Sequence, residues 1–120
     1  MSLIAVVDDD DSVRESLKGL LQSIGFGVET FSSANQFLDG GHLTKTDCLI
    51  LDVRMPGMRG PELQRELTRM GFAIPIVFIT AHGDEDFRPR VLLEGAVDCL
   101  LKPFSEEALL KAIRTALPAN

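Results

Sequence analysis

The chain has 120 residues, of which 45% are hydrophobic and 25% charged, and its formal net charge is −6 at pH 7. This length and composition predict one soluble globular domain over residues 1–120. No segment is apolar over the ~20 residues that a membrane-spanning helix needs, which excludes a membrane-embedded protein. The acidic balance argues against direct binding to nucleic acid, which requires clustered Lys and Arg.

The two ends of the chain and its cysteines carry weaker signals. The first seven residues lead straight into acidic residues, with neither the basic flank nor the cleavage site of a signal peptide, so we expect a cytoplasmic protein. Pro118-Ala-Asn120 is typical of the start of a linker. Cys48 and Cys99 do not have the spacing of a zinc site, and we interpret both as reduced core residues.

In chain order, the first predicted elements are a strand over residues 3–7 and a helix with an apolar stripe from Val13 to Ile24. The strand is an unbroken apolar run, typical of a strand buried on both faces of a parallel sheet. Ser12, with Glu15 three residues later, suggests a capping box at the start of the helix. Gly25 marks its end.

The middle of the chain repeats this alternation. A strand of mixed polarity over residues 28–31 precedes a short helix over residues 33–38. A second apolar strand follows over residues 48–51, and a helix with an apolar stripe from Leu63 to Met70 ends at Gly71. The mixed strand is predicted to lie at an edge of the sheet and the apolar strand at its centre.

The last part of the chain contains a third apolar strand over residues 74–79 and a mixed strand over residues 97–101. Between them Pro89 lacks a backbone donor, so we predict a short fourth helix from Pro89 to about Glu94, after a loose loop over residues 83–88. A final helix over residues 108–117 follows Ser105, a capping candidate.

Five strand–helix repeats predict an α/β fold with a doubly wound, five-stranded parallel sheet and right-handed crossovers. With the apolar strands central and the mixed strands at the edges, the strand order is 2-1-3-4-5. In such sheets ligands bind beyond the carboxyl ends of the strands, where the strand order reverses. The predicted site therefore lies between the first and third strands.

Residues suited to phosphoryl chemistry stand at this rim. Asp8 and Asp9 follow the first strand, and Asp52 follows the apolar run of the third. Thr80 follows the fourth strand and Lys102 the fifth. Crowded carboxylates favour a bound cation, and an oxygen-lined site suits Mg²⁺. Because an Asp carboxylate can attack phosphorus, with an ammonium and a hydroxyl beside it, the set predicts a site that accepts a phosphoryl group at Asp52.

Four motifs resemble those of response-regulator receiver domains, with wording similar to FixJ-type receivers. They are Val-Val-Asp8-Asp9-Asp, Leu-Asp52-Val-Arg-Met-Pro-Gly-Met-Arg-Gly60, Ile-Thr80-Ala-His-Gly-Asp and Gly95-Ala-Val-Asp-Cys-Leu-Leu-Lys102-Pro-Phe. They occur in the family order and span the whole chain. The resemblance implies a flavodoxin-like three-layer sandwich and a regulatory domain of a two-component phosphorelay rather than an enzyme.

The resemblance also implies roles for single residues. Asp52 would receive the phosphoryl group from the phosphohistidine of a sensor kinase or phosphotransfer protein. Mg²⁺ would be held by Asp9, Asp52 and the Arg54 backbone carbonyl, with Asp8 acting partly through water. Thr80 and Lys102 would engage the phosphoryl group. By the same resemblance Lys102 precedes a cis peptide, and a homodimer would form through the face of the fourth helix, fifth strand and fifth helix, which also controls an output partner or domain.

Two departures from the family pattern, Cys99 and the Pro89 described above, and two alternatives accompany this interpretation. Cys99 occupies a position where the family usually has an aromatic residue, so we expect switching to depend more on loop motion than on rotamer exchange. Asp8-x-Asp10-x-Ser12 imitates the nucleophile motif of haloacid-dehalogenase-like phosphatases, an alternative that makes Asp8 the nucleophile and leaves Asp52 unexplained. A receiver-like interaction module that never uses phosphate is the other alternative.

Overall fold

A computed structural model describes residues 2–117, so the predicted linker at residues 118–120 lies outside the described part. Strands and helices alternate throughout. The strands are β1 (Leu3–Val7), β2 (Gly27–Phe31), β3 (Cys48–Asp52), β4 (Ile76–Thr80) and β5 (Asp98–Leu101). The helices are α1 (Asp11–Ile24), α2 (Ala34–Asp39), α3 (Gly60–Arg69), α4 (Phe87–Leu93) and α5 (Glu106–Ala116).

The sheet is parallel and has the order β2-β1-β3-β4-β5, which confirms the predicted fold class and strand order. Its register determines which residues meet at the carboxyl rim. Val7 of β1 pairs with Leu51 of β3, so Asp8 and Asp52 both lie one residue beyond that pair. Asp52 in turn pairs with Ile79 of β4, the residue before Thr80.

Two hydrophobic layers cover the sheet, because side chains alternate between the faces of each strand. One layer contains Ala5, Leu51 and Phe78 and packs under α2, α3 and α4. The other contains Val6 and Ile79 and packs under α1 and α5. All five residues of β3 and of β4 are buried, as predicted for central strands. Among residues 2–117 we find no helix long and apolar enough to cross a membrane.

The start of α1 differs from the prediction. Asp10, not Ser12, is the N-cap: its Oδ1 accepts hydrogen bonds from the backbone N–H of Ser12 at 2.8 Å and of Val13 at 3.4 Å. Ser12 already lies inside the helix, so the predicted capping box is wrong. The end is as predicted, with Gly25 in the left-handed region at φ 110°.

Two other element starts depend on proline. β4 begins at Ile76 rather than at residue 74, since Pro75 has no N–H for the sheet ladder. α4 begins at Phe87, two residues before the predicted start, and Pro89 sits in its first turn, where a missing N–H leaves no hydrogen bond unmade. The helix is short, as predicted, with 7 residues. At α5, Ser105 is the N-cap as predicted and accepts from the Ala108 N–H at 3.0 Å.

The segment before α4, predicted to be a loose loop over residues 83–88, contains successive turns. The Asp84 N–H donates to the Ala81 carbonyl at 3.1 Å, and the Phe87 N–H donates to the Asp84 carbonyl at 3.1 Å. Asp84 itself is buried. These successive turns connect the end of β4 to α4.

Both cysteines are free and buried, which confirms their interpretation as reduced core residues. Burial raises the pKa of the Cys48 thiol to about 12 and that of the Cys99 thiol to about 11. Neither thiol therefore carries appreciable thiolate at neutral pH.

Candidate functional site

The structure brings three predicted carboxylates together at the rim of the sheet. One oxygen each from Asp8, Asp9 and Asp52 lies within 4.8 Å of the other two. Asp8 and Asp52 are buried and Asp9 is exposed, so the cluster opens to solvent on the Asp9 side. The rim predicted from strand order is therefore the place where these acids meet.

Lys102 lies against the same acids. Its Nζ is 3.1 Å from Asp8 Oδ2 and 3.7 Å from Asp52 Oδ1. The backbone N–H of Lys102 donates to the Thr80 carbonyl at 2.8 Å, which places the lysine at the end of β5, and the Lys102–Pro103 peptide is cis. One ammonium thus faces two buried carboxylates.

Hydrogen bonds hold Asp8 in this position. Asp8 Oδ1 accepts from the Asp10 N–H at 2.9 Å, and Arg14 Nη1 donates to the Asp8 carbonyl at 2.6 Å. Asp10 also caps α1. The turn from β1 into α1 therefore orients the acidic cluster.

The electrostatics show an excess of negative charge. The pKa of Asp52 is raised to about 7: burial and the neighbouring Asp8 and Asp9 raise it, whereas Lys102 and a hydrogen bond from the Arg54 backbone N–H partly lower it. One lysine therefore does not fully offset the acids. Hard oxygen donors with uncompensated charge are what Mg²⁺ binds in proteins, so the residues present fit that ion.

Thr80 lies at the same rim, and its hydroxyl is weakly engaged. The side chain is buried, and Oγ1 is 3.4 Å from the Ala81 carbonyl oxygen and 3.5 Å from that of Asp84. Both distances are at the long end for an O–H···O hydrogen bond. The hydroxyl is consequently free to exchange these acceptors for a better one.

Two contributors escaped the sequence analysis. Gly60 allows α3 to approach β3: a Cβ there would clash with the Asp52 carbonyl oxygen and lie 3.0 Å from Phe78 Cε1. Asp84 forms a two-pronged ion pair with Arg54. Asp84 belongs to the motif that begins at Ile79, but nothing in the sequence relates it to a partner 30 residues away.

An open, mainly apolar cavity of about 630 Å³ lies beside the cluster. It runs between α1 and the segment after β5. Its lining includes Val13, Leu17, Leu20, Pro103 and Phe104, together with Lys102 and His82 at the end near the acids. Apolar side chains are thus accessible next to the acidic cluster.

The fold and this rim define a flavodoxin-like receiver architecture. The family model for the response regulator receiver domain matches residues 4–114. The chain therefore belongs to the response-regulator receiver family of two-component signalling.

Known relatives agree with this assignment. The chain is 51% identical over 116 residues to the response regulator protein TodT of Pseudomonas putida, covering 97% of this chain and 51% of TodT. It is 41% identical over 114 residues to the transcriptional regulatory protein FixJ of Bradyrhizobium diazoefficiens, covering 95% of this chain and 56% of FixJ. The chain thus spans about half the length of these curated relatives.

Solved structures of response regulators have the same fold as this chain. The response regulator StyR superposes with a TM-score of 0.90 at 53% identity, over 97% of this chain and 59% of the StyR chain. FixJ-N superposes with a TM-score of 0.88 at 36% identity, over 100% of this chain and 98% of that chain.

Proposed function

We propose that this domain is a phosphoacceptor switch in which Asp52 receives a phosphoryl group from the phosphohistidine of a sensor kinase or phosphotransfer protein. The observation that carries the proposal is the placement of Asp52. Its carboxylate ends β3 within the three-acid cluster, 3.7 Å from the Lys102 ammonium. A carboxylate nucleophile and a cation are thus held side by side on a rigid sheet.

In the proposed step, one carboxylate oxygen of Asp52 attacks phosphorus and the phosphorus–nitrogen bond of the donor breaks. The imidazole nitrogen keeps the bonding electrons and is then protonated. Lys102 offsets charge on the phosphoryl oxygens, and the Thr80 hydroxyl is available to donate to one of them. The acyl phosphate that forms is a regulatory state of the domain and not the product of a turnover enzyme.

We propose that the domain uses Mg²⁺, held by the carboxylates of Asp8, Asp9 and Asp52 and by the Arg54 backbone carbonyl. When bound, the ion offsets charge on the transferring phosphoryl group. A cation also stabilises the acidic cluster in the absence of a phosphoryl group, because burial and repulsion by Asp8 disfavour the ionised form of Asp52. Lys102 meets only part of that need.

The surfaces support two kinds of partner. The apolar cavity beside the acids offers a docking place for the phosphodonor protein next to the reactive rim. Leu93 of α4 is 90% exposed and Leu101 of β5 is 40% exposed, which supports a homodimer through the α4-β5-α5 face. We place the domain in the cytoplasm, without membrane or direct nucleic-acid contact, controlling an output partner or an output domain of a longer protein.

The test is modification by a small phosphodonor. Wild type, Asp52→Asn and Asp8→Asn are incubated with acetyl phosphate and Mg²⁺ and resolved on a phosphate-affinity gel. The exposed Asp39→Asn serves as the matched control. We expect a hydroxylamine-labile adduct in wild type and in the control, and none in Asp52→Asn.

The other outcomes identify the alternatives. An adduct that persists in Asp52→Asn, with turnover lost only in Asp8→Asn, indicates the phosphatase. The absence of an adduct in every protein, with each shown to be folded by circular dichroism, indicates an interaction module that does not use phosphate.

A further inference from the structure

An ion pair joins the loop after β3 to the loop after β4. Arg54 Nη2 lies 2.7 Å from Asp84 Oδ1, and Arg54 Nε lies 3.2 Å from both Asp84 carboxylate oxygens. The Asp84 side chain is 10% exposed and that of Arg54 is 59% exposed. The hydrogen bonds from Arg54 hold the pKa of Asp84 below its usual value. The pair therefore joins a nearly buried carboxylate to a guanidinium at the surface.

Besides the donation of its N–H to the Ala81 carbonyl, Asp84 has two contacts through its own backbone carbonyl. The oxygen is 3.5 Å from the Thr80 hydroxyl and accepts the Phe87 N–H at 3.1 Å. Phe87 is the first residue of α4. One residue thus contacts Arg54, which follows the phosphoacceptor by two positions, Thr80 at the rim, and the start of a helix on the signalling face.

Arg54 and Thr80 are the donors that a phosphoryl group on Asp52 would attract. A phosphorylated side chain carries a charge of about −1.5 to −2 and three strong acceptor oxygens, and a guanidinium binds such a group well. In the unphosphorylated domain Arg54 is directed at the Asp84 carboxylate, whereas the Thr80 hydroxyl lies 3.4 Å from the Ala81 carbonyl oxygen and 3.5 Å from that of Asp84. Both Thr80 contacts are long and the Arg54 side chain is exposed, so both donors can be redirected.

Redirecting Arg54 has a structural consequence. It leaves the buried Asp84 carboxylate without its cation, and a buried unpaired charge is unfavourable. The carboxylate regains solvation only if the 81–87 segment moves outward. Because Phe87 is hydrogen-bonded to Asp84, such a movement displaces the first turn of α4.

We propose that the Arg54–Asp84 ion pair is a latch that holds the β4–α4 segment closed in the unphosphorylated domain and opens when phosphorylated Asp52 takes Arg54 from Asp84. The latch rests on the proposed phosphorylation of Asp52. It transmits the change to α4 through the loop, without requiring an aromatic side chain at position 99, where this chain has a buried cysteine.

The first test uses the unphosphorylated protein, with amide hydrogen exchange as the readout. Asp84→Asn removes the charge and keeps the shape of the side chain. The control is Glu94→Gln, which breaks another two-pronged arginine pair, with Arg65 Nε at 2.9 Å, on an exposed surface. We expect protection over residues 84–88 to fall by roughly five- to tenfold in Asp84→Asn and to stay unchanged in Glu94→Gln.

The second test uses acetyl phosphate and Mg²⁺. In wild type and Glu94→Gln, modification should lower protection over residues 84–88 by a similar factor. In Asp84→Asn, modification should add little to the change already present, because the latch is already open. Initial rates of modification should rise roughly threefold or more in Asp84→Asn, since Arg54 is released in advance.

Failure of the latch is separable from failure of the phosphoacceptor proposal. If wild type takes up no phosphoryl group, the phosphoacceptor proposal falls, while exchange of the unphosphorylated proteins still tests the closed latch. If wild type is modified but Asp84→Asn and Glu94→Gln exchange alike, the latch is wrong. Should Asp84→Asn not fold, Arg54→Gln breaks the same pair from its exposed side, and unchanged exchange in that variant overturns the proposal.

Discussion

Replacing Asp52 with asparagine should stabilise the metal-free domain above neutral pH, although it removes the proposed phosphoacceptor. Asp52 is buried beside Asp8, and its ionised form is disfavoured by burial and by the neighbouring acids. Asparagine is nearly the same size and has no charge to bury. The stabilisation should therefore depend on pH in a manner set by the Asp52 carboxyl.

The sign and size of this pH-dependent stabilisation follow from the pKa of Asp52. Folding raises it from 3.8 to about 7, so the folded state holds the proton more tightly than the unfolded state. The stability that this proton contributes is fully present below about pH 4 and is lost as the pH rises through about 7. At about 1.4 kcal/mol for each pKa unit, the loss at pH 8 is at most about 4 kcal/mol. The weakened pairing with Lys102 in the variant makes the measured gain smaller.

Urea unfolding of wild type and Asp52→Asn between pH 4.5 and 8, in EDTA, measures this difference. We expect the two free energies of unfolding to converge at the acidic end and to separate by about 1–4 kcal/mol at pH 8, with the variant more stable. Saturating Mg²⁺ should then stabilise wild type by about 2–3 kcal/mol and the variant much less. A difference between the two free energies of unfolding that does not change with pH, or equal stabilisation of both proteins by Mg²⁺, would refute this account.

Three further changes test the surroundings of the site. Lys102→Ala removes the cation that lowers the pKa of Asp52, so the pH at which this stability is half lost should be roughly one unit higher than in wild type. Lys102→Arg should restore the wild-type value, and urea unfolding at a series of pH values measures both. Gly60→Ala should destabilise the fold by about 1–3 kcal/mol because the added Cβ meets the Asp52 carbonyl. Gly19→Ala, in an exposed turn of α1 with open space around it, should instead stabilise the fold by about 0.5–1 kcal/mol. Equal effects of the two substitutions would contradict the close approach of α3 to β3. Asp10→Ala should lower the free energy of unfolding by about 0.5–2 kcal/mol, measured by heat or urea, because α1 loses its N-cap. Unchanged stability would mean that another residue caps α1.

The sheet was predictable because its signals are local. Unbroken apolar runs identify strands buried on both faces, and the mixed runs at β2 and β5 belong to the two edges. Once the order is known, the parallel direction of the strands brings their carboxyl ends together. The convergence of Asp8, Asp52 and Lys102 follows from that geometry and was predicted without coordinates.

Element starts were less predictable, because several adjacent residues satisfy the same local rule. Asp10 and Ser12 are both good N-caps, and the turn by which the chain leaves β1 decides for Asp10. Pro89 excludes a donor at its own position, but any place in the first turn tolerates it, and the turn at Asp84 sets the start of α4 at Phe87.

Composition, apolar periodicity and motif order by themselves determined the fold class and the set of acids, hydroxyl and lysine at the rim of this receiver domain. Only the tertiary structure decided which charges are paired. Arg54 and Asp84 are 30 residues apart, and their pairing depends on how the loops after β3 and β4 bend over the rim. Hydrophobic patterns record which side of an element is buried, whereas an ion pair depends on the distance and orientation of two side chains, which arise only when the whole sheet has formed.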